Sequence, residues 1–193
     1  LHQGEAVRAI EAFFRGLPDP RCAAWLGQAA QNLPDPVAAL LPRSLKSRHL
    51  PRAESALGLL GALVSAHPAS ARDAVLEALG TRHRKLRPLA ILLAGEEAAA
   101  LRAIQPASSG AELFSEKIRE ALESRDARVR AAASSALLLA EPEGKRRIAL
   151  LAAAARDERD PGTLAALLPA LKEAGGIEEL FGLSRSHSPR LRR

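Results

Sequence analysis

The segment 124–140 places the strongest constraint on what this chain can fold into. It reads S-R-D-A-R-V-R-A-A-A-S-S-A-L-L-L-A, and its apolar residues recur at the i, i+3, i+4, i+7 spacing of a helical stripe. The stripe consists of Val129, Ala132, Ala133, Ala136, Leu137 and Ala140. Because most of it is alanine, a neighbouring helix can pack against it at unusually close range. Asp126 stands before the stripe, where a carboxylate caps a helix by accepting a backbone N–H. We therefore predict a capped helix with a buried alanine face.

A second amphipathic segment, 112–123, precedes this helix after a very short turn. The two form a predicted helical hairpin whose second helix begins with the pattern D-x-x-V-R. Val129-Arg130 aligns with Leu86-Arg87 at a spacing of 43 residues, and Asp126 aligns with Asp160 at a spacing of 34. Spacings in this range are typical of two-helix repeat units.

The hairpin and its D-x-x-V-R start resemble the HEAT and HEAT-like helical repeats, most strongly over 112–174 and also over 52–94. The resemblance implies a right-handed α-solenoid of antiparallel helix pairs. Composition independently favours an all-α fold, because aromatic residues make up only 3% of the chain and alanine and leucine dominate its apolar fraction. The alternative is an irregular helical bundle, which shares the packing rules and differs in connectivity. We expect one domain over 1–183, with 184–193 as a basic Ser/Arg tail or a junction to further chain.

The periodicity predicts about a dozen helices, and Asp-Pro pairs at 19–20, 35–36 and 160–161 mark three of their starts. Residues 43–51 are predicted to form a basic loop. Pro169 lies inside the helix that starts at 160–161 and predicts a kink there. Gly175-Gly176 is predicted to end that helix. The pair at 19–20 starts a helix over 21–32, and the other predicted helices cover 5–14, 52–66, 71–80, 84–94, 96–104, 112–123, 126–140, 143–155 and 177–183.

Positive charge is segregated along the chain. The net charge is +6, but the three acid-free runs 42–52, 82–87 and 184–193 together carry +12, so the remainder carries −6. Such a distribution indicates a charged partner, either the phosphates of a nucleic acid or an acidic protein segment. The candidate partner- or phosphate-binding residues are Arg43, Lys46, Arg48, Arg52, Arg82, Arg84, Lys85, Arg87, Arg128 and Arg130. The alternative is ordinary solubilising surface, with the arginine of D-x-x-V-R bridging to an acid of the adjacent repeat.

No set of residues predicts catalysis, a cofactor or a metal site. The five histidines are scattered without an H-E-x-x-H, and they read as surface residues that add partial charge. The single cysteine, Cys22, shares a predicted apolar face with Trp25 and reads as a buried small residue. The adjacent pairs Glu96-Glu97 and Glu178-Glu179 read as solvated charge. We therefore expect a protein that is not an enzyme.

These observations favour a scaffold that presents a helical-repeat groove to a protein or peptide partner, which is acidic if the basic runs contact it. The runner-up is a nucleic-acid-binding module that contacts the phosphate backbone through a basic stripe. Two enzyme-related classes with HEAT-like repeats fit less well. Alkylpurine DNA glycosylases need cleft aromatics that this chain lacks, and nothing specific supports a chromophore lyase. No apolar run approaches the ~18 residues of a membrane span. We expect a cytoplasmic protein without a membrane partner, and the alanine-rich, methionine-free composition indicates a bacterial source.

Overall fold

The computed structural model describes residues 30–185, and every regular element in that range is an α-helix. The all-α class is therefore confirmed. Residues 30–32 are helical, whereas the rest of the first two predicted helices, Cys22 with Trp25, and the end of the tail lie outside the described residues. The helices that follow are α1 Pro34–Leu45, α2 Leu50–Ala66, α3 Pro68–Leu79, α4 Arg87–Ile104, α5 Ser109–Leu122, α6 Ala127–Ala140, α7 Gly144–Asp157, α8 Pro161–Glu173 and α9 Ile177–Arg185.

The helices pack in chain order. Within residues 30–185, every extensive helix–helix contact joins elements that are one or two positions apart along the chain. The even-numbered helices contact one another in succession, α2 with α4, α4 with α6 and α6 with α8, and each also packs on the helix before it. The most extensive of these contacts is between α4 and α6. The core is a continuous, mainly alanine and leucine cluster that runs the length of this arrangement.

The contact between α4 and α6 brings two backbones together at Gly95. A Cβ atom at Gly95 would lie 2.9 Å from the carbonyl oxygen of Ala136 and 3.0 Å from its Cα. All six residues of the predicted apolar stripe of α6 are buried. The close packing expected from the alanine stripe is therefore confirmed, and glycine is its counterpart on α4.

The same glycine explains an error in the predicted helix boundaries. We predicted separate helices over 84–94 and 96–104, but α4 is one helix of 18 residues, Arg87–Ile104. Gly95 reads as a break in sequence, whereas in the fold it is a buried interior residue of the helix. Arg84 and Lys85 consequently lie in the turn before α4, while Pro88 lies in the first turn of the helix, as expected.

Three helix starts and stops follow the sequence signals, and one does not. Asp126 Oδ1 accepts the N–H of Arg128 at 3.1 Å, and Asp160 Oδ1 accepts the N–H of Thr163 at 2.8 Å, so both caps are confirmed. Gly175 has φ +90° and ends α8 as predicted. The expected cap at Asp35 is wrong, because its carboxylate instead accepts the Ser70 hydroxyl of α3 at 2.8 Å.

The basic loop predicted over 43–51 is also shorter than expected. Helix α1 continues through Pro42 and Arg43 to Leu45, and α2 already begins at Leu50. Leu45 is buried in the core, and this burial holds the last turn of α1 against the rest of the protein. The connection is therefore a turn of four residues, 46–49.

Candidate functional site

Four turns lie next to one another along one edge of the protein, which we call the turn edge: 46–49, 80–86, 123–126 and 158–160. They connect α1 to α2, α3 to α4, α5 to α6 and α7 to α8. His83 Nε2 donates to the carbonyl oxygen of Ser47 at 2.8 Å, which joins the first two turns. Arg84 Nε donates to Asp126 Oδ2 at 2.6 Å and joins the second turn to the third. These bonds place the first residues of α2, α4 and α6 at the same edge.

Charge falls steadily along the turn edge. Segments 43–52 and 82–87 each carry four cations and no acid. Segment 123–130 carries three cations and two acids, and segment 156–160 carries two cations and three acids. The edge is therefore strongly positive beside α2 and α4 and close to neutral beside α6 and α8.

Three of the ten candidate cations form ion pairs with carboxylates of the protein. Lys46 Nζ lies 2.7 Å from Glu77 Oε2, and Arg84 is bound to Asp126 as described. The hydrogen bond from Arg84 lowers the pKa of the Asp126 carboxyl and raises the pKa of the guanidinium. Asp126 thus caps α6 and joins two turns at once, a role that its position in D-x-x-V-R does not by itself reveal.

Arg130 is the third paired cation, and it bridges from α6 to the following turn. Its Nε and Nη2 donate to the two carboxylate oxygens of Glu158 at 2.6 and 2.7 Å, and its Nη1 donates to the carbonyl oxygen of Ser124. The Glu158 side chain is 5% exposed and that of Arg130 is 20% exposed. The hydrogen bond from Arg130 lowers the pKa of Glu158 to about 2. The structural alternative stated above, a bridge to an acid of the adjacent unit, therefore holds for Arg130.

Five of the predicted cations remain exposed, and within residues 30–185 their side chains have no hydrogen bond or ion pair. They are Arg43, Arg48, Arg82, Lys85 and Arg128. The last two candidates are neither ion-paired nor fully free. Arg87 Nε donates to the carbonyl oxygen of Thr81 at 3.3 Å, and Arg52 is half-buried with an unpartnered Nε. The structure thus brings most of the candidates to one edge and leaves the charge of about half of them available.

An apolar groove that the sequence did not reveal begins at this positive end. We call it the leucine groove; it lies between α2 and α4 and has a volume of about 450 Å³. Helix α2 contributes Leu57, Gly58 and Gly61, and the α4 side contributes Leu86, Leu89, Leu92 and Leu93. Leu89, in the first turn of α4, is 50% exposed, which is high for a large apolar side chain. Lys85 and Glu54 lie at one end of the groove and Glu96 at the other.

A second cleft lies on the opposite layer, between α5 and α7, and has a volume of about 670 Å³. Its carboxylates outnumber its cations, and two of those cations, Arg119 and Arg130, are already bound to carboxylates. The acids that line it are Glu116, Glu120, Glu123, Asp157 and Glu158. The acidic lining of this cleft thus differs from the positive end of the turn edge beside α2 and α4.

Two of the histidines are structural rather than surface groups. His67 and His83 are both half-buried, and each bonds a backbone carbonyl 36 residues earlier, that of Gln31 or Ser47. The prediction of surface histidines that add partial charge did not include these two hydrogen bonds between neighbouring segments. His49 is exposed, and His2 and His187 lie outside the described residues.

Glu97 was also misread as solvated charge. It lies in α4, is 0% exposed, and neither carboxylate oxygen has a hydrogen-bond partner. Burial raises the pKa of Glu97 to about 8, and the charge of Arg72 opposes this only in part. Its neighbour Glu96 is exposed in the leucine groove.

Residues 30–185 contain neither a metal-binding cluster nor a helix that could span a membrane. No group of three or more His, Cys, Asp or Glu side chains there is placed to hold a metal ion. Across residues 30–185, the helices are each too short or too polar to cross a bilayer.

Comparison with known proteins bears on the fold alone. No protein-family model and no curated protein matches this sequence. A crystal structure of an engineered protein matches with a TM-score of 0.50 and 17% sequence identity, over 95% of this chain and 92% of the engineered one. At this identity, the similarity carries no information on function.

Proposed function

We propose that this protein is a non-enzymatic binding scaffold, built as a right-handed, HEAT-like α-solenoid of antiparallel helix pairs. The pairs are α1–α2, α3–α4, α5–α6 and α7–α8. The contact pattern supports this architecture, because in a solenoid each unit touches only its neighbours. An irregular bundle would instead pack helices that are distant in sequence, and between residues 30 and 185 no extensive contact of that kind occurs.

The roles of the D-x-x-V-R residues support the same architecture. Asp126 caps its own helix and receives Arg84 from the preceding pair, while Arg130 reaches Glu158 in the following pair. One short pattern therefore supplies bonds in both directions along the row. This arrangement is what a repeat needs to stack on neighbours at both sides.

The observation that carries the proposed function is the leucine groove. An open groove lined by leucines favours a ligand that removes apolar surface from water. Here Leu89 is half exposed beside two glycines of α2, and unpaired cations adjoin one end of the groove. A protein segment can bury the leucines and satisfy the cations together. A nucleic acid can satisfy only the cations.

Phosphate-backbone binding remains the second candidate function, favoured by the five unpaired cations of the turn edge. Against it stands the loss of Lys46, Arg84 and Arg130 to ion pairs. The unpaired cations are divided among α1, two turns and the start of α6 instead of forming a continuous row.

A display selection tests the first candidate. Random peptides of about 16 residues, long enough for four helical turns, are selected on the wild-type protein and counter-selected on Leu89→Asp. We expect enriched peptides that bind the wild type and not the variant. Enrichment of only groove-independent peptides, or of none, would contradict the scaffold proposal.

A parallel titration tests the second candidate. Fluorescein-labelled duplex and single-stranded DNA are titrated at about 50 and 200 mM salt with the wild type and with an Arg48→Glu, Arg82→Glu, Lys85→Glu variant. This variant leaves the Arg84–Asp126 pair intact. Tight, salt-dependent binding that the variant loses, in the absence of groove-dependent peptides, would make nucleic-acid binding the function.

A further inference from the structure

The two walls of the leucine groove carry side chains of different size, glycines on α2 and leucines on α4. On α2, Gly58 and Gly61 are three residues apart and so lie on one face of the helix. A Cβ atom at Gly58 would have no atom within 4 Å, whereas one at Gly61 would lie 3.4 Å from Leu93 Cδ2. The space above this wall is therefore open at Gly58. On α4, Leu89, Leu92 and Leu93 form the other wall. A ligand backbone can therefore approach α2 closely while its side chains pack on the leucines of α4.

The groove is long enough for a short helix. Lys85 and Glu96 line it eleven positions apart, which corresponds to about 16 Å along a helix axis, or about three turns. Two adjacent helices leave between them a furrow into which the side-chain ridge of a third helix packs. Amphipathic helices bind such grooves through apolar residues at i, i+3, i+4 and i+7.

The charges at the two ends have opposite signs. At one end, Lys85 is exposed and unpaired, and the unpaired Arg82 and Arg48 belong to the same turn and the adjoining one. At the other end Glu96 is exposed. Glu54 lines the first end beside Lys85, and the unpaired Arg48 and Arg82 of the flanking segments 43–52 and 82–87, which contain no acid, make the surroundings of this end positive.

We propose that the leucine groove binds an amphipathic helix of a protein partner, with acidic residues at the end that meets Lys85 and large apolar side chains over Leu89 and Leu93. This inference rests on the proposed scaffold function and adds the chemistry of the partner. The occupant is not nucleic acid, since the groove floor is apolar and Glu54 and Glu96 would face the phosphates.

Synthetic peptides test the inference. Fluorescein-labelled helical peptides carry leucines at i, i+3, i+4 and i+7 and a pair of glutamates at either the N-terminal or the C-terminal end. Matched peptides carry lysines in place of the glutamates, and a scrambled peptide removes the apolar face. Affinity is measured by fluorescence anisotropy for the wild type and for Lys85→Glu, Gly58→Leu and Ile104→Asp. Ile104 is 66% exposed near the end of the same helix, outside the groove lining, and is the matched control.

We expect one glutamate peptide to bind about fivefold more tightly than its lysine counterpart at low salt, as is typical of exposed charge pairs. Lys85→Glu should remove that preference, because two cations and two carboxylates would then balance at this end. Gly58→Leu should weaken binding by about tenfold or more because it fills the groove. This substitution should not unfold the protein, since its site is open and leucine favours helix. Ile104→Asp should bind like the wild type.

The contrary outcomes separate this inference from the proposed function. If glutamate and lysine peptides bind equally well and Gly58→Leu abolishes both, the acidic end is refuted while the scaffold function stands. If no peptide binds but the display selection yields groove-dependent ligands, the amphipathic helix is refuted and a different protein ligand occupies the groove. If neither assay gives a groove-dependent ligand, both proposals fail.

Discussion

Replacing Gly95 by alanine tests the packing on which the whole row of helices depends. The new Cβ would lie 2.9 Å from the carbonyl oxygen and 3.0 Å from the Cα of Ala136. Both are backbone atoms, so no side chain can rotate away and α4 must move from α6. Overpacking of a well-packed core costs about 1–3 kcal/mol.

The expected change contains a second, favourable contribution. Alanine is better than glycine in a helix interior by about 1 kcal/mol, and this gain applies to any helical glycine that is replaced. Gly58→Ala is the matched control, because its Cβ meets nothing within 4 Å and it also lies inside a helix. Gly58→Ala should therefore stabilise the protein. The difference between the two variants isolates the cost of the contact between α4 and α6.

Thermal unfolding of the two variants by circular dichroism measures this difference. For a contact cost of about 2 kcal/mol, the midpoint of Gly95→Ala should lie about 6 °C below that of Gly58→Ala. Adding Ala136→Gly should recover only part of the loss, since the carbonyl oxygen and Cα remain in place. Equal midpoints for the two single variants would refute the close approach of the helices.

Two further predictions concern buried carboxyls. The native pKa of Glu97 is raised to about 8, so the native state holds a proton that the unfolded chain releases near its ordinary pKa of about 4.5, and stability falls as pH rises from about 4.5 to 8. In the wild type, the free energy of unfolding measured in urea should therefore fall by on the order of a few kcal/mol between about pH 5 and 9, and in Glu97→Gln this fall should be absent. If both proteins show the same pH profile, the burial of this carboxyl is contradicted. The native pKa of Glu158 is lowered to about 2, so its contribution is present above the unfolded pKa and is lost as pH falls toward 2. Glu158→Gln should lower the free energy of unfolding by about 1.5–3 kcal/mol near neutral pH. Glu120→Gln is the control, because Glu120 pairs with Lys117 at an exposed site, and it should have no measurable effect. Equal effects of the two substitutions would show that the Arg130–Glu158 bridge contributes no more than an exposed pair.

Sequence signals that act within a few residues predicted the local structure well. The cap at Asp126, the alanine stripe and the stop at Gly175 were all read correctly, because each depends on one helix and its immediate neighbours. Asp35 has the same local pattern as Asp160 yet bonds to Ser70 of another helix. The difference lies in helix–helix register, which a local pattern does not contain.

The candidate site was only partly predictable for the same reason. The basic runs located the positive end of the turn edge, but not which cations are paired. Arg84 and Asp126 are 42 residues apart, and their contact follows only from the stacking of the turns. One weak sequence pattern indicates the leucine groove: Gly58 and Gly61 lie three residues apart on a helix that is otherwise apolar. Recognising it requires knowing that α2 and α4 are adjacent and that no third helix among residues 30–185 covers them.

The binding role of the leucine groove is the central claim of this account, and leucine-methyl NMR tests it most directly. Leu89 and Leu139 are each 50% exposed, but only Leu89 lines the groove. On addition of the glutamate-ended peptide, the methyl signals of Leu89 and Leu93 should shift and those of Leu139 should not. Shifts at Leu139 with none at Leu89 and Leu93, or no methyl shifts at all, would contradict the claim.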